Sequence, residues 1–132
     1  MLTPTYYAFK MYKVHHDANL LPVDISSEDY TVGDESIKSI SSSASIDTNG
    51  LIHITLTNVN PNNEAKVKVE LSGSGQKEFV RGEIITAAEI NSYNDFGKEE
   101  EVTLKEFKNV SVNGSSIDIE LPAKSIVMIE LR

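Results

Sequence analysis

The clearest alternation of apolar and polar positions along the chain falls between residues 41 and 59. Three apolar residues there are separated by single polar ones: Ile52, Ile54 and Leu56. A period of two residues is typical of a β-strand with one face in the core. The segment therefore predicts a strand that alternates between a buried side and a polar side.

The turn before this strand decides how it pairs with the segment that precedes it. A two-residue turn would set apolar side chains opposite polar ones. A three-residue loop over 48–50, with Gly50 in the left-handed conformation of a bulge, avoids this mismatch. That loop gives two apolar cross-strand pairs: Ile46 with Ile52, and Ala44 with Ile54. A slip of one residue would turn the apolar set to water, so we expect this register. Because Ala44 is small, we also expect large side chains of a second sheet to lie over it.

The first 19 residues carry a helical pattern with a wide apolar arc. Thr3 and Pro4 give an N-cap and a favoured first-turn proline. Apolar residues recur at helical spacing as far as Ala18, and aromatic residues between them widen the arc beyond a single stripe. We expect five residues to form a docking surface: Tyr7, Phe9, Met11, Tyr12 and Val14. The strands that follow can cover one side of this helix at most, so the pattern predicts a partner surface outside the chain.

Short alternating segments separated by turn residues fill most of the remaining chain. We expect eight or nine strands, with 28–35 and 87–101 as loops, 102–107 as a strand, and 125–131 as a central strand that is apolar on both faces. Strands that alternate with turns indicate an all-β fold, an antiparallel β-sandwich of jelly-roll type preceded by one N-terminal α-helix. The predicted core contains Ile52, Ile54, Leu56, Ile117, Ile119, Val127 and Ile129.

Composition narrows the classes of function. At 132 residues the chain is long enough for one domain with a core of its own. The net charge of −8 repels phosphate backbones and anionic lipid, so no nucleic-acid or membrane partner is expected. The absence of cysteine excludes disulfides and thiolate chemistry. No apolar run approaches the roughly 20 residues of a spanning helix, and no signal peptide is recognisable. Cytoplasm and periplasm both remain open as compartments.

Candidate chemical groups have simpler structural interpretations. Neighbouring residues on a helix point about 100° apart, so His15 and His16 cannot chelate a metal from one face. We expect His53, which lies among threonines, to be an exposed cross-strand neighbour. The glutamate run 99–101 lacks the apolar flank that would raise a carboxyl pKa, so we expect it to be solvated. From the residues alone, we expect no catalytic, metal-binding or cofactor-binding site.

Aromatic residues in predicted loops give one alternative. Tyr93 and Phe96, together with Tyr30, could stack on the faces of sugar rings. The chain contains no tryptophan, and loop packing explains the same residues. Tyr93 and Phe96 are therefore candidate sugar contacts of a carbohydrate-binding module, which is the alternative to a structural role.

Two blocks of sequence are distinctive as whole motifs. They are LTPTYYAFKMYKVH at 2–15 and NSYNDF at 91–96. The first resembles the last barrel helix of the alpha-L-arabinofuranosidases of glycoside hydrolase family 51. The second is similar to a block of that family's C-terminal domain. Weaker similarities follow in the same order at 43–50, 82–87 and 121–127.

The resemblance implies that 1–19 is a helix from the end of a (β/α)₈ barrel and that 20–132 is the C-terminal β-sandwich domain. In the family, two barrel glutamates hydrolyse terminal alpha-L-arabinofuranosyl groups with retention, and neither has a matching position here. We therefore expect a structural, non-catalytic part of an enzyme that acts on arabinan or arabinoxylan. Its expected partner is the barrel of the same polypeptide, and the family resemblance also implies a homo-oligomer.

A free-standing interaction or adhesion sandwich is the third hypothesis. In-frame coding sequence for a barrel before Met1 would exclude it. If the helix has no barrel to cover it, we expect its aromatic face either to cause self-association through Phe9 and Tyr12 or to fold back on the sandwich.

Overall fold

The fold consists of one short helix and eleven strands within residues 1–73 and 75–132, which a computed structural model describes. The helix α1 spans Pro4–Tyr12 and continues into a single 3₁₀ turn, Lys13–His15. The strands are β1 Asn19–Leu21, β2 Asp29–Val32, β3 Glu35–Lys38, β4 Ile40–Ile46, β5 Ile52–Asn58, β6 Ala65–Glu70, β7 Phe79–Ile85, β8 Lys105–Glu106, β9 Val110–Asn113, β10 Ser116–Leu121 and β11 Ser125–Leu131.

The strands form two facing antiparallel sheets and a separate hairpin. Six strands follow the order β1-β4-β5-β11-β7-β8, three follow the order β6-β10-β9, and β2 pairs with β3 alone. All the strand pairs in the described residues are antiparallel. The predicted antiparallel β-sandwich behind an N-terminal helix is confirmed.

The β4–β5 hairpin has the predicted register. Ile46 pairs with Ile52 and Ala44 pairs with Ile54. Gly50 has a φ of +79°, the left-handed conformation that glycine adopts without steric cost. The backbone N–H of Asp47 donates to the Leu51 carbonyl at 3.0 Å and closes the loop. The alternation of apolar residues therefore fixed both the pairing and the turn.

The core between the two sheets contains all seven predicted residues. Each is buried, with exposed fractions from 0% to 6%: Ile52, Ile54, Leu56, Ile117, Ile119, Val127 and Ile129. Strand β11 is central in the larger sheet, as predicted. Its Ile129 faces this core, while its Met128 faces a second apolar cluster under the helix. The larger sheet is therefore buried on both faces along β11.

Three sequence predictions about local structure are wrong. Residues 28–35 are not simply a loop, because β2 and β3 form a two-stranded hairpin whose turn includes Gly33 at a φ of +60°. Its charged residues mask the alternation that marks a strand. Within 102–107 only the segment Lys105–Glu106 is a strand. The α-helix ends at Tyr12 rather than near Ala18, and Asp17 has a left-handed φ of +58° that turns the chain toward β1.

Gly82 in β7 allows two backbones to approach closely. A Cβ built at this position would lie 2.6 Å from the Phe107 carbonyl oxygen, which is a backbone atom with little freedom to move. The Phe107 N–H in turn donates to the Gly82 carbonyl at 3.0 Å. The chain after β8 therefore packs directly on the β7 backbone at Gly82, where no side chain obstructs the contact.

Candidate docking site

The helix α1 has an inner face that packs on the outer side of the six-stranded sheet. Tyr7 is 9% exposed and Met11 is fully buried. They contact an apolar cluster that also contains Ile85, Val102 and Met128. Burying a methionine side chain stabilises a fold by about 1.5–3 kcal/mol. This contact therefore fixes the helix on the sheet rather than leaving it as a free extension.

A polar clamp fixes the N-terminal end of the helix. Thr3 Oγ1 accepts from the Tyr6 N–H at 3.2 Å and caps the first turn, as predicted. The Glu100 carboxylate accepts the Leu2 N–H at 2.6 Å and, through its second oxygen, the Tyr7 hydroxyl. The hydrogen bond to Glu100 raises the pKa of Tyr7, and the same bond, followed by that from Leu2, lowers the pKa of Glu100. Glu100 therefore has two hydrogen-bond partners that the interpretation of 99–101 as a solvated run did not predict.

Asn94 connects this clamp to the long loop 87–101. Its Nδ2 donates to the carbonyls of Leu2 and Val102, each at 2.8 Å, and its Oδ1 accepts from the Val102 N–H at 2.8 Å. The side chain is 8% exposed. The sequence predicted the loop but not this role, because the contact joins residues 92 positions apart. The sequence feature that corresponds to this role is Asn94, the second asparagine of the NSYNDF block.

His15 fixes the opposite end of the helical segment. Its Nδ1 lies 2.6 Å from Ser45 Oγ and its Nε2 lies 3.1 Å from Thr55 Oγ1. The Thr55 hydroxyl donates to the Ser43 carbonyl, so its oxygen accepts from Nε2–H. The network thus assigns the proton to Nε2 and leaves Nδ1 to accept from Ser45. Burial, followed by the charge of nearby His53, lowers the pKa of His15.

A buried hydrogen-bonded contact between His53 and Glu130 lies in the sheet next to His15. His53 Nε2 lies 2.8 Å from Glu130 Oε1, and Arg81 Nε donates to the same oxygen at 3.3 Å. His53 is 3% exposed, so the prediction of an exposed neighbour is wrong. Strand β5 does alternate, but the helical segment covers its polar face. Within the described residues, His53 Nδ1 has no hydrogen-bond partner.

The outer helix face, defined here as Tyr6, Phe9 and Tyr12, is uncovered by the described residues. Phe9 is 75% exposed, Tyr6 45% and Tyr12 38%. The five residues predicted to dock therefore divide into two groups. Tyr7, Met11 and Val14 face the chain's own sheet, whereas Phe9 and Tyr12 face away from it. Tyr6 contributes to the same face, although it is not among the five residues predicted to dock.

The two candidate sugar contacts lie on the clamped loop. Tyr93 is 65% exposed and Phe96 is 79% exposed. No ring contact joins them within the described ranges, where the aromatic pairs are Tyr6 with Tyr7 and Tyr12 with His15. The loop therefore displays two separate rings, not one stacked platform.

Metal sites and membrane-spanning helices were the other features sought in the described part of the chain. In residues 1–73 and 75–132, no three histidine, cysteine, aspartate or glutamate side chains are grouped as metal ligands. None of the helices in the same ranges has the length and apolarity to cross a membrane. What the geometry does define is a β-sandwich domain with a firmly attached terminal helix whose second face is apolar and uncovered. Such a face is typical of a domain that packs on a neighbour.

Comparison with known proteins gives this domain its family. A family model described as the alpha-L-arabinofuranosidase C-terminal domain matches residues 1–125. An intracellular exo-alpha-L-arabinofuranosidase of Bacteroides ovatus is 42% identical over the whole chain. The chain therefore belongs to the family of alpha-L-arabinofuranosidase C-terminal domains.

Solved structures agree with this assignment. The family 51 arabinofuranosidase of Xanthomonas axonopodis pv. citri superimposes on the whole chain with a TM-score of 0.94 at 36% identity. A family 51 alpha-L-arabinofuranosidase of Bifidobacterium longum matches 98% of the chain with a TM-score of 0.85, but at 19% identity it shows the fold alone. The chain spans 26% of the Bacteroides protein and 27% of the Xanthomonas one. In these relatives the domain is thus a small part of a longer polypeptide.

Proposed function

We propose that this chain is the non-catalytic C-terminal domain of an alpha-L-arabinofuranosidase and that it stabilises and positions a catalytic barrel. The whole enzyme would hydrolyse terminal alpha-L-arabinofuranosyl groups of arabinan or arabinoxylan with retention of configuration. Retaining hydrolysis uses two carboxyl groups about 5 Å apart. On this proposal, both belong to the barrel, and residues 20–132 contribute no catalytic group.

The outer helix face carries the proposal. Residues 1–19 would be the last helix of the barrel, with Tyr7 and Met11 turned to the sandwich and Phe9 and Tyr12 turned to the barrel. Hydrogen bonds at both ends, through Glu100 and His15, hold the segment in one orientation. A helix fixed on one side and apolar on the other transmits the position of one domain to the next. Contact with further subunits would extend the same principle to a homo-oligomer.

An assay of arabinose release tests this proposal. The purified 132-residue chain is expected to release no arabinose from an aryl alpha-L-arabinofuranoside, while the full polypeptide that contains it does so. Enzyme-dependent turnover by the isolated chain would contradict a non-catalytic role.

A carbohydrate-binding module is the second candidate, supported by the exposure of Tyr93 and Phe96. Both rings project from a loop that Asn94 holds in place, which is the kind of rigid aromatic display that sugar faces contact. Titration with arabino-oligosaccharides, followed by amide chemical shifts, separates the two functions. Saturable shifts confined to 87–101, and lost in Y93A and F96A, would favour sugar binding. A structural domain is expected to show none.

A further inference from the structure

The hairpin of β2 and β3 has a polar face whose side chains bond to one another. Lys38 Nζ lies 2.9 Å from Asp29 Oδ1 and forms an ion pair across the two strands. The next pair on the same face is Thr31 with Ser36, where the threonine hydroxyl donates to the serine Oγ at 3.1 Å. Cross-strand pairs of this kind stabilise a hairpin from within. The polar face therefore needs no partner outside the hairpin.

The opposite face of the hairpin carries apolar side chains. Successive side chains alternate between the two faces of a strand, so Tyr30 and Val32 lie on the same side as Ile37. Val32 is 61% exposed and Ile37 58%, while Tyr30 is half-buried. In the described part of the chain, none of the three belongs to an apolar cluster. These residues form an uncovered surface, called here the apolar hairpin face, on a two-stranded element that is only marginally stable alone in water.

The base of the hairpin is fixed to the sandwich at Ser39. The Ser39 N–H donates to the Glu28 carbonyl at 2.9 Å and closes the hairpin. The Ser39 carbonyl accepts the Val59 N–H, also at 2.9 Å, next to the end of β5. Two backbone bonds in different directions hold this residue, so the hairpin projects from a defined point of the six-stranded sheet.

The size of the apolar hairpin face limits what can cover it. A stable interface between separate proteins contains about 20–30 residues on each side, whereas this face offers three apolar side chains. So small a contact persists where a second attachment keeps the partner nearby, because the attachment raises its effective concentration. The matched region is about a quarter of the relatives' length, so most of their polypeptide is available as an attached partner.

Charge defines the chemistry of that partner. Residues 28–38 contain four carboxylates and one lysine, and the lysine is already paired with Asp29. Glu35 stands opposite Val32 and therefore lies on the same side as the apolar residues. Two copies of this face would bring like charges together, which is unfavourable. The surface that fits is apolar, with a lysine or arginine opposite Glu35.

We propose that the apolar hairpin face docks on the catalytic barrel of the same polypeptide, against an apolar patch bordered by a basic side chain. The inference rests on the proposed function, because it requires the barrel. The helix α1 packs near β7 and β11, whereas the hairpin extends from the start of β4. A contact at the helix alone would leave the barrel free to pivot. The hairpin adds a second, separate contact, and the two together fix the orientation of the barrel.

Thiol labelling of the 132-residue chain and of the full polypeptide tests the proposal. The chain contains no cysteine, so Ile37→Cys gives it a single thiol, whose reaction is followed on the labelled peptide by mass spectrometry. The thiol should react rapidly in the short chain and more slowly by about tenfold or more in the full polypeptide, where reaction requires local opening of the contact. Thr31→Cys is the matched control. It lies on the polar face of the same hairpin and should react equally fast in both proteins.

A charge reversal tests the chemistry of the partner. Glu35→Lys, added to Ile37→Cys, should restore fast labelling in the full polypeptide, because it places like charges together. Equally fast labelling at position 37 in the short chain and in a full polypeptide that releases arabinose would overturn the docking proposal alone. Labelling that slows as the short chain is concentrated would also overturn it, by showing that a second copy covers the face. A full polypeptide without arabinosidase activity would instead contradict the proposed function.

Discussion

The two faces of the six-stranded sheet are both buried, but by different chemistry. The inner face is apolar, and residues such as Leu56 and Ile129 pack there against the smaller sheet. The outer face combines the apolar Met128 with the hydrogen-bonded side chains of His53 and Glu130. The inner face is covered by strands of the smaller sheet, whereas the outer face is covered by the helical segment, which hydrogen bonds hold, and by Val102.

This difference indicates what each face does. An apolar interior tolerates few alternative arrangements, because side chains are packed as densely as in crystals. Polar groups in a buried contact define orientation, since each must meet a partner at the correct distance and angle. The inner face therefore provides stability. The outer face sets the orientation of α1, and hence of the uncovered Phe9.

The largest effect is expected on the inner face. Ile129→Ala removes a fully buried side chain from the middle of the core and should lower the free energy of unfolding by about 2–5 kcal/mol. Urea unfolding measures the change as a lower midpoint at constant slope. A loss below about 1 kcal/mol, which is typical of surface positions, would contradict the assignment of this face as the main source of stability.

A smaller loss is expected at the helix contact. Met11→Ala should cost about 2 kcal/mol, at the lower end of the range for buried methionine, because the helix can move toward the sheet and reduce the cavity. Phe9→Ala is the matched control on the same helix. It removes a ring that is 75% exposed and should change stability by less than about 0.5 kcal/mol. Equal losses at the two positions would show that the helix has no defined inner face.

We expect the stability of the fold to depend on pH through His15, which joins the helical segment to the sheet. Its pKa is lowered in the folded chain, so below pH 6.5 the unfolded chain binds more protons than the folded one. Stability is therefore complete above about pH 6.5 and falls as the pH decreases toward the lowered pKa. Thermal unfolding between pH 5 and 8 should show this slope in the wild type and a flatter one in His15→Gln.

His16 provides the control for that experiment. Its side chain is 80% exposed, so His16→Gln should retain the slope of the wild type. An identical slope in His15→Gln and in the wild type would show that His15 is not the titrating group.

The smallest effect concerns the clamp at the N-terminal end of the helix. The hydrogen bond to Glu100 raises the pKa of Tyr7, so Glu100→Gln should return the pKa of this tyrosine toward its ordinary value. Spectrophotometric titration of the tyrosines measures the change. Glu99→Gln, next to it in the chain, should leave the titration unaltered. If both variants titrate alike, the clamp does not involve Glu100.

The comparison of the two faces also explains which features the sequence revealed. The β4–β5 register, the central β11 and the core were predictable because alternation acts within a strand or between neighbours. The role of His53 was not, because its face of β5 is polar in sequence and becomes buried only when α1 packs on it. Asn94 and Glu100 act on residues more than 90 positions away. Contacts of this kind follow from the fold and leave no local pattern.

The hairpin of β2 and β3 illustrates a second limit. It pairs only with itself, so its exposed charged residues have no core-facing counterpart to reveal the alternation. The docking surface stays a prediction. The wide apolar arc indicated two covered sides, while the assignment of Tyr7 and Met11 to the chain's own sheet required the structure.

The central claim is that the outer helix face is built to pack on a further domain, and the solvent accessibility of Phe9 tests it directly. Hydroxyl-radical oxidation of Phe9, measured by mass spectrometry, should be rapid in the 132-residue chain. In the full polypeptide it should fall to the level of Tyr7, which is already covered. Phe9 that is oxidised equally fast in both would show that no domain packs on this face.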